Sequence, residues 1–134
     1  AQRAPFRAIT LRLLYHLSCD DRCRQAFVFT NAIQVIVQLV INFPQSAVAK
    51  ELVGLTINLS LHPRNAMLMC RQQGHKLLAS RSLKTRDTLL FKVLRNLSGF
   101  TLAVHAAHAA AQHELAVVRH AVGRRRVAVP RYDW

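Results

Sequence analysis

Three eight-residue strings recur in order along the chain: LRLLYHLS at Leu11–Ser18, VGLTINLS at Val53–Ser60 and FKVLRNLS at Phe91–Ser98. Each ends in Leu-Ser preceded by a polar residue, His16, Asn58 or Asn96, and each carries an aliphatic residue three positions earlier, Leu13, Leu55 or Val93. The Leu-Ser pairs are 42 and then 38 residues apart, since Ser18, Ser60 and Ser98 close the strings. Spacing of this kind within a string is helical, and recurrence at a period near 40 is the mark of helical units that bury their apolar faces on one another. An ordinary helical bundle whose strings match by chance is the competing reading.

The text between the strings has the same layout twice. After the first string, DDRCRQAFVF reads as a short helix with Asp20 or Asp21 as N-cap, because a carboxylate there satisfies free backbone N–H groups. TNAIQVIVQLVINF reads as a second helix, with Ile33, Ile36, Val37, Val40 and Ile41 at helical spacing, which Pro44 terminates. A third helix is expected from about Ser46 to Ser60. The second unit opens at HPRNAMLMC, where Pro63 suits a helix start; Gly74 punctuates, HKLLASRSL forms the second helix, and RDTLLFKVLRNLS the third with Asp87 as cap. This order of one short, one intermediate and one longer helix resembles the armadillo repeat. The expected fold is an all-α superhelical solenoid over about residues 1–100: two repeats and the third helix of a preceding one.

More specifically, the chain resembles the kinesin-associated protein family, the non-motor armadillo subunit of heterotrimeric kinesin-II. The residues carrying the resemblance are LYHLSCDDR, INLSLHPRNAMLMC and GHKLLASRSLKTRDTLLFKVLRNLS, in order across Leu11–Ser98. The resemblance implies a fragment of a longer solenoid, a cytoplasmic, microtubule- and cilium-associated scaffold that joins motor chains to cargo in intraflagellar transport. It implies no catalysis and no cofactor.

In such a fold the third helices line a groove, and His16, Asn58 and Asn96 fall where the family's groove asparagines sit. An amide there can offer donor and acceptor to an extended peptide; alternatively it bonds a neighbouring helix end. Four residues back on the same face stand Arg12, Gly54 and Lys92, and four further back Ala8, Lys50 and Thr88. The expected partner groove is therefore Arg12, His16, Lys50, Asn58, Thr88, Lys92 and Asn96. It is basic, is expected to lack acids, and favours an acidic peptide over the Lys/Arg-rich ligands of nuclear import receptors.

Composition narrows the function classes. A formal charge of +13 invites a nucleic-acid reading, yet residues 1–100 spread 14 Lys/Arg against four acids, and no zinc-finger spacing, aromatic RNA-binding signature or Gly-rich phosphate loop is present. A basic helical RNA-binding module is thus the weaker alternative, behind another armadillo adaptor. Cys19, Cys23 and Cys70 fit no disulfide or zinc framework and are expected to be buried free thiols. Asp20 and Asp21 point apart at a helix start, and a His16/Cys19 pair lacks orienting groups, so an enzyme is not expected. Phe27–Phe43, the most membrane-like stretch, is interrupted by five polar residues. Leu13, Leu14 and Leu17 are expected to pack, and Met67 and Met69 to join the core.

Residues 101–134 differ in character, rich in Ala, His, Val and Arg. There the resemblance fades, and the text reads either as a tail helical through about Val118 or as out-of-frame translation of a GC-rich coding sequence. His105, His108, His113 and His120 are expected not to share a face, which disfavours a metal site. On the out-of-frame reading, Arg124–Arg126 carry no weight for nucleic-acid binding.

Overall fold

The computed structural model describes residues 3–124, which form seven α-helices: α1 (Arg3–Ser18), α2 (Asp21–Ala26), α3 (Ala32–Ile41), α4 (Lys50–Ser60), α5 (Pro63–Cys70), α6 (Gly74–Thr85) and α7 (Thr88–Arg124). Single 3-10 turns follow α2 and α5, at Phe27–Phe29 and Arg71–Gln73. The chain divides into two compact units, Ala1–Phe100 and Thr101–Trp134. The first is an all-α armadillo-type stack in which α2, α3 and α4 make one repeat, α5, α6 and the start of α7 a second, and α1 stands as the third helix of an earlier one.

Local chemistry sets the helix ends. Asp20, not Asp21, caps α2: its Oδ1 accepts from the backbone N–H of Arg22 at 2.8 Å and of Cys23 at 3.2 Å. Asp21 lies in the first turn, where its carboxylate accepts from Arg24 Nη2 at 3.2 Å. Pro63 opens α5 with His62 extended before it. The third helix of the first repeat starts at Lys50 rather than at Ser46. The reason is that Val48 is buried and its N–H is turned outward to Asp87 Oδ2 at 3.3 Å, so the preceding chain cannot wind. Asp87 serves two elements at once, because its Oδ1 accepts from Leu89 N at 3.1 Å in the first turn of α7.

Gly74 acts differently from the expected punctuation. The left-handed residues at the α5–α6 turn are Gln72 (φ 51°) and Gln73 (φ 62°), while Gly74 begins α6 with helical dihedrals. What requires a glycine is close approach: a Cβ at Gly74 would sit 2.0 Å from the Met69 carbonyl oxygen. The third helix also does not stop at Asn-Leu-Ser, since α7 continues to Arg124. Gly99 has no neighbour within 4 Å of where its Cβ would be, and the alanine-rich text beyond favours helix.

The core of the first unit is drawn from five of the six helices of the two repeats, α2 contributing no buried residue. Ile33, Ile36, Val37 and Val40 of α3, Leu52, Val53, Leu55 and Leu59 of α4, Met69 of α5, Leu78 of α6, and Leu90, Val93 and Leu97 of α7 are all buried. Met67, by contrast, is exposed, and so are Leu13 and Leu17; of the expected trio only Leu14 packs against the core. All three cysteines are free, but Cys19 is exposed and Cys23 and Cys70 half-buried. Among the described residues no single helix is long and apolar enough to cross a membrane, and the stretch beginning at Phe27 is broken by a 94° bend between the helices Asp21–Phe29 and Ala32–Ile41.

The boundary between the two repeats is crossed by polar contacts at every layer. Asn65 Nδ2 donates to Arg24 O at 2.9 Å, joining α5 to α2. Arg81 of α6 reaches the end of α3 and the loop beyond it, donating to the carbonyls of Ile41 (3.1 Å), Phe43 (2.8 Å) and Gln45 (2.6 Å). A guanidinium fits this role because its planar fork can address several carbonyls together. Arg81→Ala is expected to lower stability by roughly 2–4 kcal/mol in denaturant unfolding of the full chain, and Arg81→Lys to recover only part of it. In the same assay Gly74→Ala costs about 2 kcal/mol, whereas Gln73→Gly, which relieves a left-handed residue, is neutral or gains up to about 1 kcal/mol.

Candidate functional site

The candidate groove is built by the three helices that carry the recurring strings. α1 packs along α4, and α7 follows α4 in the same sense, as the equivalent contacts at their C-terminal ends show. Arg12 and His16 stand on α1, Lys50 and Asn58 on α4, and Thr88, Lys92 and Asn96 on α7. Five of the seven, Arg12, His16, Lys50, Thr88 and Lys92, are exposed, and the two asparagines are half-buried.

The asparagines are committed within the protein. Asn58 Nδ2 donates to Ser18 Oγ at 3.0 Å, and Asn96 Nδ2 donates to Ser60 Oγ at 2.9 Å. Each serine gives its own proton to the carbonyl three residues back, Ser18 to Tyr15 O at 2.6 Å and Ser60 to Ile57 O at 2.7 Å, which leaves its lone pairs to accept the amide. Of the two sequence readings of these amides, the structure selects the neighbouring-helix one. An N–H of each amide is thereby spent inside the stack. The sequence signal was present in the invariant Ser two residues after each polar position, since Ser18 and Ser60 are buried acceptors.

Two further residues change the groove. Tyr15 leans from α1 onto α4, so that a Cβ at Gly54 would lie 2.7 Å from the ring edge. Gly54 is therefore floor beneath an aromatic ring, and Tyr15 makes an edge contact with His16 at a centroid separation of 5.5 Å. The second residue is Glu51. It lies seven positions before Asn58, two helical turns back on the same face, and is half-buried. The expectation of a face without acids is thus corrected. It holds Arg12, Lys50 and Lys92 against a single carboxylate.

Nothing at the α1–α2 junction assembles catalytic groups. The Cys19 thiol contacts Tyr15 O at 3.5 Å and Asn58 Nδ2 at 3.7 Å. Burial pushes the Cys70 thiol above its ordinary range, which makes it a poorer nucleophile. No group of three or more His, Cys, Asp or Glu able to hold a metal occurs among the described residues. In the second unit, the Gln112 amide lies 3.3 Å from His108 Nε2, so His108 and Gln112 share a face; His105, three residues before His108, falls on that face too. Residues 125 and 126 of the arginine run lie outside the described residues.

Compared with known proteins, residues 2–118 match the model of the family described as kinesin-associated protein (KAP). The match passes the Ser98–Thr101 point at which the resemblance had been expected to fade. No solved structure matches the chain.

The amide–hydroxyl contacts yield a direct check. Asn96→Ala is expected to cost about 1 kcal/mol of stability, and a double-mutant cycle with Ser60→Ala to give a coupling of roughly 0.5–1.5 kcal/mol. A peptide-reading asparagine would instead leave the unfolding curve unmoved.

Proposed function

The chain belongs to the kinesin-associated protein family, and on that premise we propose that it is a section of a non-catalytic scaffold subunit linking the kinesin-II motor chains to cargo adaptors in microtubule-based, intraflagellar transport. The observation that carries this reading is the family match across residues 2–118. Its setting would be the cytoplasm, at microtubules and the cilium.

The physical character of the first unit supports a scaffold. Its helices are held to one another by a continuous apolar core and by hydrogen bonds that join repeat to repeat, so it presents side chains at fixed spacing on a stiff frame. A stiff frame suits partner binding because little conformational entropy is lost when a ligand docks. The exposed functional groups stand one per helix turn along separate helices, a layout suited to an extended or helical partner rather than to the convergence of groups on one reacting atom.

Affinity capture of the tagged protein from ciliated cells tests the reading. Both kinesin-II motor chains are expected to be recovered with it, and recovery of other partners without either motor chain would point to an armadillo adaptor outside the motor complex.

A further inference from the structure

Resting on the scaffold reading, we propose that the face formed by α1, α4 and α7 docks an acidic, extended peptide segment with a carboxylate at about every third residue. Two independent features of the face lead there. The first is charge. Three of the four acids in residues 1–100 are taken up elsewhere, Asp20 and Asp87 in helix caps and Asp21 against Arg24, so Glu51 alone opposes Arg12, Lys50 and Lys92, all exposed. The second is the engagement of the two amides. With Asn58 donating to Ser18 Oγ and Asn96 donating to Ser60 Oγ, each amide has spent a donor inside the stack and is held at a helix end, which weakens its reading of peptide main chain regardless of sequence. Recognition falls to the cations, which select by charge and by spacing.

The spacing follows from the stack. Packed helices lie about 10 Å apart, and a chain in the extended polyproline II form rises about 3.1 Å per residue with about three residues per turn, so a peptide crossing from α1 to α4 to α7 presents the same side to a new helix after about three residues. Arg12 and Lys92 hold equivalent positions on the outer two helices, and Lys50 lies one turn earlier on the middle one. A peptide is favoured over single-stranded RNA because stacking platforms are few here. Tyr15 has its ring laid against Gly54, which leaves Phe91, beside Lys92, as the exposed ring nearest the cations.

The test uses the full 134-residue chain. The probes are a fluorescent twelve-residue Ser/Gly peptide with aspartate at every third position, an isomer with the aspartates clustered, and oligo(U) as the RNA. Fluorescence anisotropy at low salt is expected to show binding of the spaced peptide, weakened at least 10-fold by Lys50→Glu/Lys92→Glu, with Arg22→Glu/Arg64→Glu on α2 and α5 changing it less than 3-fold. Should the first variant melt early, Arg12→Glu alone is expected to give about a 3-fold or greater loss with an unchanged melt. Undiminished binding by the groove variants, equal loss in the α2/α5 control, equal affinity for the clustered isomer, or displacement of the peptide by oligo(U) would each overturn the proposal. The two readings fail separately. Motor chains captured by a protein that ignores the spaced peptide sink the groove alone, and peptide binding without motor capture sinks the scaffold reading alone.

Discussion

The first unit depends on a hydrogen bond that recurs from one third helix to the next. An Asn-Leu-Ser triplet at the end of a third helix supplies an amide that reaches back and a hydroxyl that is reached from ahead; Asn58 finds Ser18, and Asn96 finds Ser60. The leucine between them, Leu59 or Leu97, turns inward and is buried. One triplet therefore fixes the lateral register of neighbouring helices and fills the core at the same point. A buried hydroxyl without its amide would leave an acceptor unsatisfied at a cost of about 1–3 kcal/mol, so the register is enforced by a penalty as well as by a gain.

Equivalent positions show what each helix needs from its surroundings. Leu55 and Val93 are fully buried, whereas Leu13, at the same place on α1, is 59% exposed. Leu17 is 41% exposed against 0% for Leu59 and 2% for Leu97. At the other side of the stack Phe91 is 43% exposed where its counterpart Val53 is 1%. The stack thus has two unsatisfied apolar faces, and both are of the kind that another repeat covers in the same geometry.

Much of this was legible in the chain itself. The period near 40 fixed the order of helices, and the caps at Asp20, Pro63 and Asp87 stood where short-range chemistry placed them, because a cap depends on residues within one turn. Features that depend on distant neighbours were not legible. Lys50 as the start of α4 follows from Asp87 drawing off the Val48 N–H across 39 residues, and the requirement for glycine at 74 follows from a carbonyl in a different helix. The role of Asn58 and Asn96 turned on a partner serine some 40 residues earlier, which local periodicity does not reveal. Glu51 lies two full turns before Asn58, a position that four-residue steps along the helix pass over.

The contacts across the boundary of the two repeats come from all three helices of the second: Asn65 of α5, Arg81 of α6 and Asn96 of α7, with Asp87 just before α7. That distribution has a mechanical consequence. A tensile force along the stack loads all four in parallel, so no one of them can be unzipped ahead of the rest, and the boundary resists as a unit until it yields together. A boundary stapled at one edge would instead hinge open under small loads. The repeats are joined as a rigid strut rather than as a string of beads.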